Sequence, residues 1–255
     1  MLEFKNLNKT YGKIEVLQDI NGRFDLGQSI ALIGPNGSGK TTFIKSILGM
    51  VMPNTGEILF KGQNIANECA YRSQMGYMPQ IGRYPDNMQV GQLFEMMKDI
   101  RLDDKNLMPN LDEELIEDFK LKAFFNKNMR SLSGGMRQKV SAALAFLFNP
   151  LVMILDEPTA GLDPLSAEVL KSKILRERDK NRLFIITSHI MSDLDEVTTD
   201  VMYLVEGKLI FLKPIGTLKE ETGEQQLGKA LAKVMSGHLL KKNLTEKVEI
   251  CPLSI

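Results

Sequence analysis

Gly34-Pro35-Asn36-Gly37-Ser38-Gly39-Lys40-Thr41 constrains this chain more than any other stretch. It satisfies G-x-x-x-x-G-K-[ST] at each fixed position and follows the apolar run Ser29-Ile-Ala-Leu-Ile33. A run apolar at successive positions reads as a strand buried on both faces, the habit of parallel sheets. The glycines let the loop curl until several backbone N–H groups point at one phosphate cluster. A helix beginning at Lys40 brings its positive dipole end to the same spot. Lys40 then supplies a point charge to the β and γ phosphates, and the Thr41 hydroxyl is placed to ligate Mg²⁺, with Thr42 next on the helix. The bland alternative is a glycine-rich turn that binds nothing. The strand before and the helix after are the context that the phosphate-binding motif requires, and they argue against it.

Composition removes several classes. Hydrophobic residues make up 43% of the 255 residues, too many for a disordered chain. Lys plus Arg balances Asp plus Glu at 32 each, so no net charge draws the whole chain to nucleic acid or anionic lipid. The longest nearly apolar stretch, 142–155, is interrupted by Asn149 and Pro150 and is too short to cross a ~30 Å hydrocarbon core. Met1-Leu-Glu-Phe-Lys-Asn lacks the basic start and apolar core of a secretory signal. Cys69 and Cys251 have neither metal-ligand nor disulfide-framework spacing. A reducing, cytoplasmic setting is the expectation.

Along the chain, Leu2, Phe4 and Leu7 alternate with polar residues, and a second alternating run extends from Glu15 to Phe24. A helix is expected over Thr42 to Leu48, closed near Gly49, with further strands at 56–60 and 75–79. From about Asp86 to Phe148 the spacing turns helical, through Met88, Leu93, Met96 and Met97 and then, more loosely, Leu115, Phe119, Leu121 and Phe124. Strand character returns at 151–155 and 182–187, with a helix between them opened by Pro164. Glu206-Gly207 turns a hairpin, and Leu227, Leu231, Val234 and Met235 form an amphipathic stripe near the end. The order describes an α/β fold with an N-terminal antiparallel β subdomain and an α-helical insertion.

Leu151-Val-Met-Ile-Leu155 delivers Asp156-Glu157-Pro158 at its carboxyl end. An acid so placed holds Mg²⁺ beside a phosphate loop, and the second acid is positioned to accept a proton from attacking water. Upstream, Leu132-Ser133-Gly134-Gly135-Met136 opens an apolar helix, and a serine followed by two glycines at a helix start is a second anion-binding nest. It cannot fold back onto a phosphate already cradled by the first loop, so it serves the nucleotide of a second copy.

Together these motifs resemble the nucleotide-binding subunit of an ABC transporter over residues 1–215, with the insertion at about 86–148 and an accessory helix and tail at 216–255. That family has the fold of a P-loop NTPase. The resemblance implies roles for further residues. Tyr11, in Lys9-Thr-Tyr-Gly, is similar to the aromatic that stacks on adenine. Gln80, in Tyr77-Met-Pro-Gln, is similar to the glutamine that meets Mg²⁺ and senses the membrane partner. Ser133, Gly134 and Gly135 form the signature and Asp163, in Ala160-Gly-Leu-Asp, belongs to the D-loop, both acting across to the opposite subunit. Glu157 and His189, in Thr187-Ser-His, complete the catalytic set. ATP and Mg²⁺ are the implied cofactors, and the implied partners are an integral membrane permease and a second copy of the chain or a homologous ATPase. That places the subunit on the cytoplasmic face of a membrane.

One signature position departs from the family's commonest form: Met136 stands where glutamine is usual, a variant similar to subunits of ABC-2-type permeases. The rival readings are a soluble ATPase working on DNA or ribosomes and a regulatory cassette that binds ATP without hydrolysis. A single cassette and neutral charge oppose the first, and intact Glu157 and His189 oppose the second. The Tyr77–Pro85 stretch also resembles the ATPase of a copper-delivery system that matures nitrous oxide reductase. Six methionines between Met75 and Met108 invite a copper(I) reading, but their helical spacing without neighbouring Cys or His reads better as adaptable packing.

Overall fold

A computed structural model describes residues 1–66, 68–101 and 110–236. Strands β1 (Leu2–Tyr11) and β2 (Ile14–Phe24) form an antiparallel hairpin turned at Gly12, and the fully buried β3 (Ser29–Ile33) runs into the phosphate loop. Helix α1 (Lys40–Ile47), strands β4 (Thr55–Phe60), β5 (Gln63–Asn64) and β6 (Met75–Met78) follow. A helical stretch holds α2 (Val90–Arg101), α3 (Glu114–Asp118) and α4 (Gly134–Phe146). The chain then alternates through β7 (Val152–Asp156), α5 (Pro164–Asp179), β8 (Leu183–Thr187) and α6 (Met191–Val197). It closes with β9 (Asp200–Val205), β10 (Lys208–Pro214), α7 (Ile215–Thr222) and a helical segment over 227–236.

The strands lie in the order β5-β4-β1-β2-β10-β9-β3-β8-β7-β6. One edge is antiparallel, whereas β3, β6, β7 and β8 run parallel, as their near-continuous apolar sequences require. In a parallel sheet the loops after the carboxyl ends share one crevice. The register pairs Asp156 with Thr187 there, beside the loop that leaves β3.

The apolar residues divide between the two faces of the sheet. Phe4, Phe24 and Phe43 pack against one another with ring centroids 4.8–6.3 Å apart, which seats α1 against the N-terminal hairpin. On the other face Phe146 and Phe184 join α4, α5 and the insertion to the sheet. Leu227, Ala230 and Leu231 are buried in that same cluster.

Some boundaries differ from the sequence reading, each for a local reason. Helix α1 starts at Lys40, as the phosphate-loop motif requires and two residues before the Thr42 expected from the run along the chain, because Gly39 with φ 100° turns the chain directly into it. Met88 has helical spacing but lies in a turn, its N–H bonded to Pro85 O, and Gln89 makes a β-bridge to Asn128, so α2 begins only at Val90. The Leu115–Phe124 pattern is interrupted at Lys120, whose φ of 53° splits it into a short α-helix and a 3₁₀ turn. Met75 and Met78 are buried in β6, and Met88, Met96 and Met97 pack against the core; Met108, His238, Lys241, Lys242 and Cys251 lie outside the described residues.

Lys173 of α5 is 1% exposed, yet it is charged. Its Nζ lies 2.6 Å from Asp112, 2.5 Å from Glu114 and 3.1 Å from Glu177, tying the insertion to α5. The three carboxylates lie close enough together to suggest a metal cage, but the ammonium fills its centre. Burial pulls the ammonium's pKa down and the carboxylates more than offset it, so Lys173 is held above the usual lysine range. The Lys173 hydrogen bond keeps Glu114 below its ordinary 4.5, and Glu177 is also held low because Lys180 and Lys173 outweigh its burial. Folding stability from these carboxylates is therefore present above pH 4.5 and lost as the pH falls through their lowered values. Lys173→Met removes the cation shared by Asp112, Glu114 and Glu177, leaving Glu114 only Arg176 and Glu177 only Lys180 and Arg182, and is expected to cost ~3–5 kcal/mol in denaturant unfolding at neutral pH. Acidification should weaken the wild type and relieve the variant; parallel pH profiles would remove the network from this role.

Candidate functional site

A cleft of about 550 Å³ opens beyond the carboxyl ends of β3, β7 and β8. The phosphate loop forms one wall, from Asn36, Gly37, Ser38 and Gly39 to Lys40, Thr41 and Thr42. Gln80, Asp156, Glu157 and His189 line the rest, with Ile14 and Val16 at the hairpin side. Gly34 and Pro35 form the base of the loop and meet the site through their carbonyls, which accept from Lys40 Nζ at 2.6 and 3.0 Å.

The loop has this shape because two of its positions admit no side chain. A Cβ at Gly39 would lie 2.5 Å from Val16 O, at a φ that disfavours L-residues. At Gly34 it would lie 2.2 Å from Leu204 O. Held so, the loop buries the Ser38 hydroxyl with no partner in the chain. An unpartnered buried hydroxyl in a phosphate loop is a donor suited to phosphate oxygen. Burial lowers the Lys40 pKa, against the attraction of Asp156 and Glu157.

The acids are held by β8 as much as by β7. Thr187, 3% exposed, donates its hydroxyl to Asp156 Oδ1 at 2.5 Å and accepts from the Glu157 N–H at 3.2 Å. Glu157 has φ 56°, a left-handed conformation that costs a non-glycine residue ~1–3 kcal/mol and persists only where its surroundings impose it. Its N–H also bonds to Thr187 O at 3.1 Å and its carbonyl accepts from Gln138 Nε2 at 3.0 Å. The carboxylate, only 12% exposed, faces His189: Nε2 lies 3.2 Å from Oε1, and the His189 backbone N–H donates to Oε2 at 3.3 Å. A carboxylate fixed at a cleft wall, with an imidazole against it, is equipped to take a proton from water and to meet charge that develops on a phosphoryl group. Thr41, Gln80 and Asp156, which line the cleft, carry side-chain oxygens, hard donors of the kind that fits Mg²⁺.

Tyr11 is not part of the cleft lining. It is half exposed on the β1–β2 turn with Lys9 Nζ 5.1 Å from its ring centroid. Ser133, Gly134, Gly135 and Asp163 are not in the lining either, but are assembled with one another. Ser133 caps α4, its Oγ accepting from Met136 N at 3.3 Å, and Asp163 caps α5, accepting from Ser166 N at 2.9 Å. Lys139 pairs with Asp163 at 2.8 Å, and a Cβ at Gly135 would lie 2.6 Å from Gly161 O. Hydrogen bonds from Lys139 and Ser166 hold the Asp163 carboxyl far below the carboxylate range. The phosphate loop, Asp156, Glu157 and His189, read from separate motifs, line one cleft, whereas Thr187 and Gln138 carry no expected role in the sequence. The Thr187–Asp156 pairing depends on strand register, which no local motif encodes.

The sequence profile described as ABC transporter matches residues 17–160. The lantibiotic transport ATP-binding protein SrtF of Streptococcus pyogenes is 30% identical over 225 residues, covering 84% of this chain and 90% of that one. The ABC transporter ATP-binding protein YtrB of Bacillus subtilis is 28% identical over 226 residues, covering 87% and 74%. Human ATP-binding cassette sub-family A member 13 is 33% identical over 224 residues, which are 86% of this chain but 4% of that protein. Among solved structures, an ATP-binding subunit of an ABC transporter superposes with a TM-score of 0.82 at 26% identity, covering 92% and 99%. A dimeric ATP-binding cassette bound to ADP and Pi has the same fold, with a TM-score of 0.71 at 23% identity and coverage of 84% and 98%.

Thr187→Val keeps the strand but removes the hydroxyl that orients Asp156. It is expected to raise the Mg²⁺ needed for half-maximal phosphate release by roughly 10- to 100-fold, the usual cost of losing the group behind a metal ligand. An unchanged Mg²⁺ titration would take Thr187 out of the site.

Proposed function

The chain belongs to the ABC transporter family, and on that footing we propose that it is the ATP-hydrolysing subunit of a transporter, working as a head-to-tail pair beneath a separate membrane permease. The observation that carries this reading is the division of phosphate-binding parts over two surfaces of one chain. The loop at Gly34–Thr42 opens into the cleft, whereas the nest at Ser133–Gly135 does not line it. A twofold arrangement lets the nest of each copy complete the cleft of the other, so one surface serves both sites. Tyr11, exposed at the hairpin turn, is available to stack on the base.

Catalysis then follows from the chain's own groups. The loop amides, the Ser38 hydroxyl and Lys40 hold the β and γ phosphates, and the partner copy's signature faces the γ phosphate from the other side. Mg²⁺, held by Thr41, Gln80 and Asp156, would neutralise charge on the phosphate oxygens. Glu157 takes a proton from the attacking water, and His189 fixes that carboxylate while its imidazole faces the transferring group. ATP favours the closed pair because only that state satisfies the γ phosphate from both sides, and hydrolysis removes the bridge.

Among the described residues no helix is long and apolar enough to cross a membrane, and we assign the membrane-crossing part to the permease. Gln80 leads into an apolar groove of about 320 Å³ lined by Tyr77, Tyr84, Met97, Arg101 and Phe148, which we assign to a cytoplasmic helix of the permease. On that reading the subunit lies on the cytoplasmic face of the membrane. Met136 favours a permease of the ABC-2 type. We take residues 1–215 as the ATPase domain and 216–255 as an accessory segment. Lys219 pairs with Asp195 of α6 at 2.6 Å, and Leu227 N–H donates to the same carboxylate at 3.0 Å, which ties that segment to the helix after His189.

Glu157→Gln keeps the shape of the cleft but not the base. It is expected to bind ATP as the wild type does, to lose about two or more decades of turnover, and to accumulate as closed dimers in gel filtration with Mg·ATP. Hydrolysis at the wild-type rate would remove Glu157 from the role of base.

A further inference from the structure

Gln138 lies in the second turn of α4, whose first turn is the signature, and its side chain is buried at 6% exposure. Its amide nitrogen reaches the loop after β7, donating to Glu157 O at 3.0 Å and to Pro158 O at 3.4 Å. Two carbonyls of one tight turn thus converge on a single side-chain donor. Glu157 sits there with φ 56°, and that strained backbone aims its carboxylate at His189. Strain of this kind persists only where neighbours over-determine it. Thr187 holds the Glu157 N–H from β8, and the Ala160 N–H at 3.1 Å and Gln138 hold the Glu157 carbonyl. Ala160 belongs to the same turn and moves with it; Gln138 is the bond that comes from another element.

We propose that Gln138 is a positioning residue for Glu157, through which the signature helix of each chain sets the base of that same chain. The proposal rests on Glu157 being the base. Its consequence is directional. The signature at the start of α4 faces the nucleotide of the partner copy, so engagement there and alignment of the base in the chain's own cleft share one rigid helix. Lys139–Asp163 at 2.8 Å and the close passage of Gly135 under Gly161 brace the same helix against the same loop, leaving little slack between them.

The test is steady-state ATP hydrolysis and thermal melting of the full chain with its permease. Gln138→Leu removes the donor and retains an apolar stem; kcat should fall roughly 10- to 100-fold with KM for ATP within about twofold, as expected for misplacing a reacting group. A fall in kcat with no change in melting temperature supports the proposal; unchanged kcat, or a loss that tracks KM and melting, overturns it. Gln138→Glu gives a second reading that a packing role would not produce. Its carboxylate can only accept and repels the two carbonyls, whereas the protonated acid donates to one of them. The activity of this variant relative to wild type should therefore rise as the pH is lowered, and a flat ratio counts against the proposal. Adding Gln138→Leu to Glu157→Gln should cost no further turnover, because the group it positions is gone. A further loss overturns the proposal, whereas wild-type turnover in Glu157→Gln alone overturns the assignment of the base instead.

Discussion

The loop between β3 and α1 exists only where the backbone can pass within contact distance of its neighbours. Gly34 runs against Leu204 O of β9, and Gly39 against Val16 O of β2. Those two approaches bend the chain so that the Ser38 hydroxyl is buried without a partner and α1 begins at Lys40. The rest of the site is arranged around that fixed point: β7 brings Asp156 and Glu157, β8 brings Thr187 and then His189, and Gln80 follows β6. The sheet thus acts as a ruler, and its parallel register sets which acid meets which hydroxyl.

Most of this was legible in the sequence because the phosphate loop, the acids at 156–157 and the Thr187-Ser-His segment each carry their chemistry within a few residues. Strands were legible for the same reason, since buried parallel strands are apolar throughout. What escaped was longer in range. The Thr187–Asp156 bond spans 31 residues and requires strands β7 and β8 to pair in one register. Gln138 could be read as part of the signature, but its hold on Glu157 O appears only once α4 packs beside the loop after β7. Helix starts in the insertion were blurred because Met88 and Phe119 have helical spacing while Pro85 and the left-handed Lys120 break the path of the backbone.

The signature nest, the D-loop and the catalytic turn form a second rigid unit, built on α4 and α5. Lys139, Asp163, Gln138 and the Gly135–Gly161 approach join these pieces. Lys173 and its three carboxylates tie α5 to the segment that follows α2, so the unit extends into the insertion that borders the groove beside Gln80. On the proposed reading such a chain has one surface that holds phosphate and another that completes the site of a second copy.

That division is tested most directly by mixing two inactive variants. Lys40→Ala damages the loop, and Gly134→Asp sets a negative charge in the nest at a position where a Cβ meets nothing within 4 Å, so the fold is spared. If each site is built from two chains, mixed dimers contain one intact site, and a one-to-one mixture should regain about a quarter of wild-type phosphate release by random pairing. If the nest served its own chain's cleft, no intact site would arise, and a mixture as inactive as its components would contradict the account.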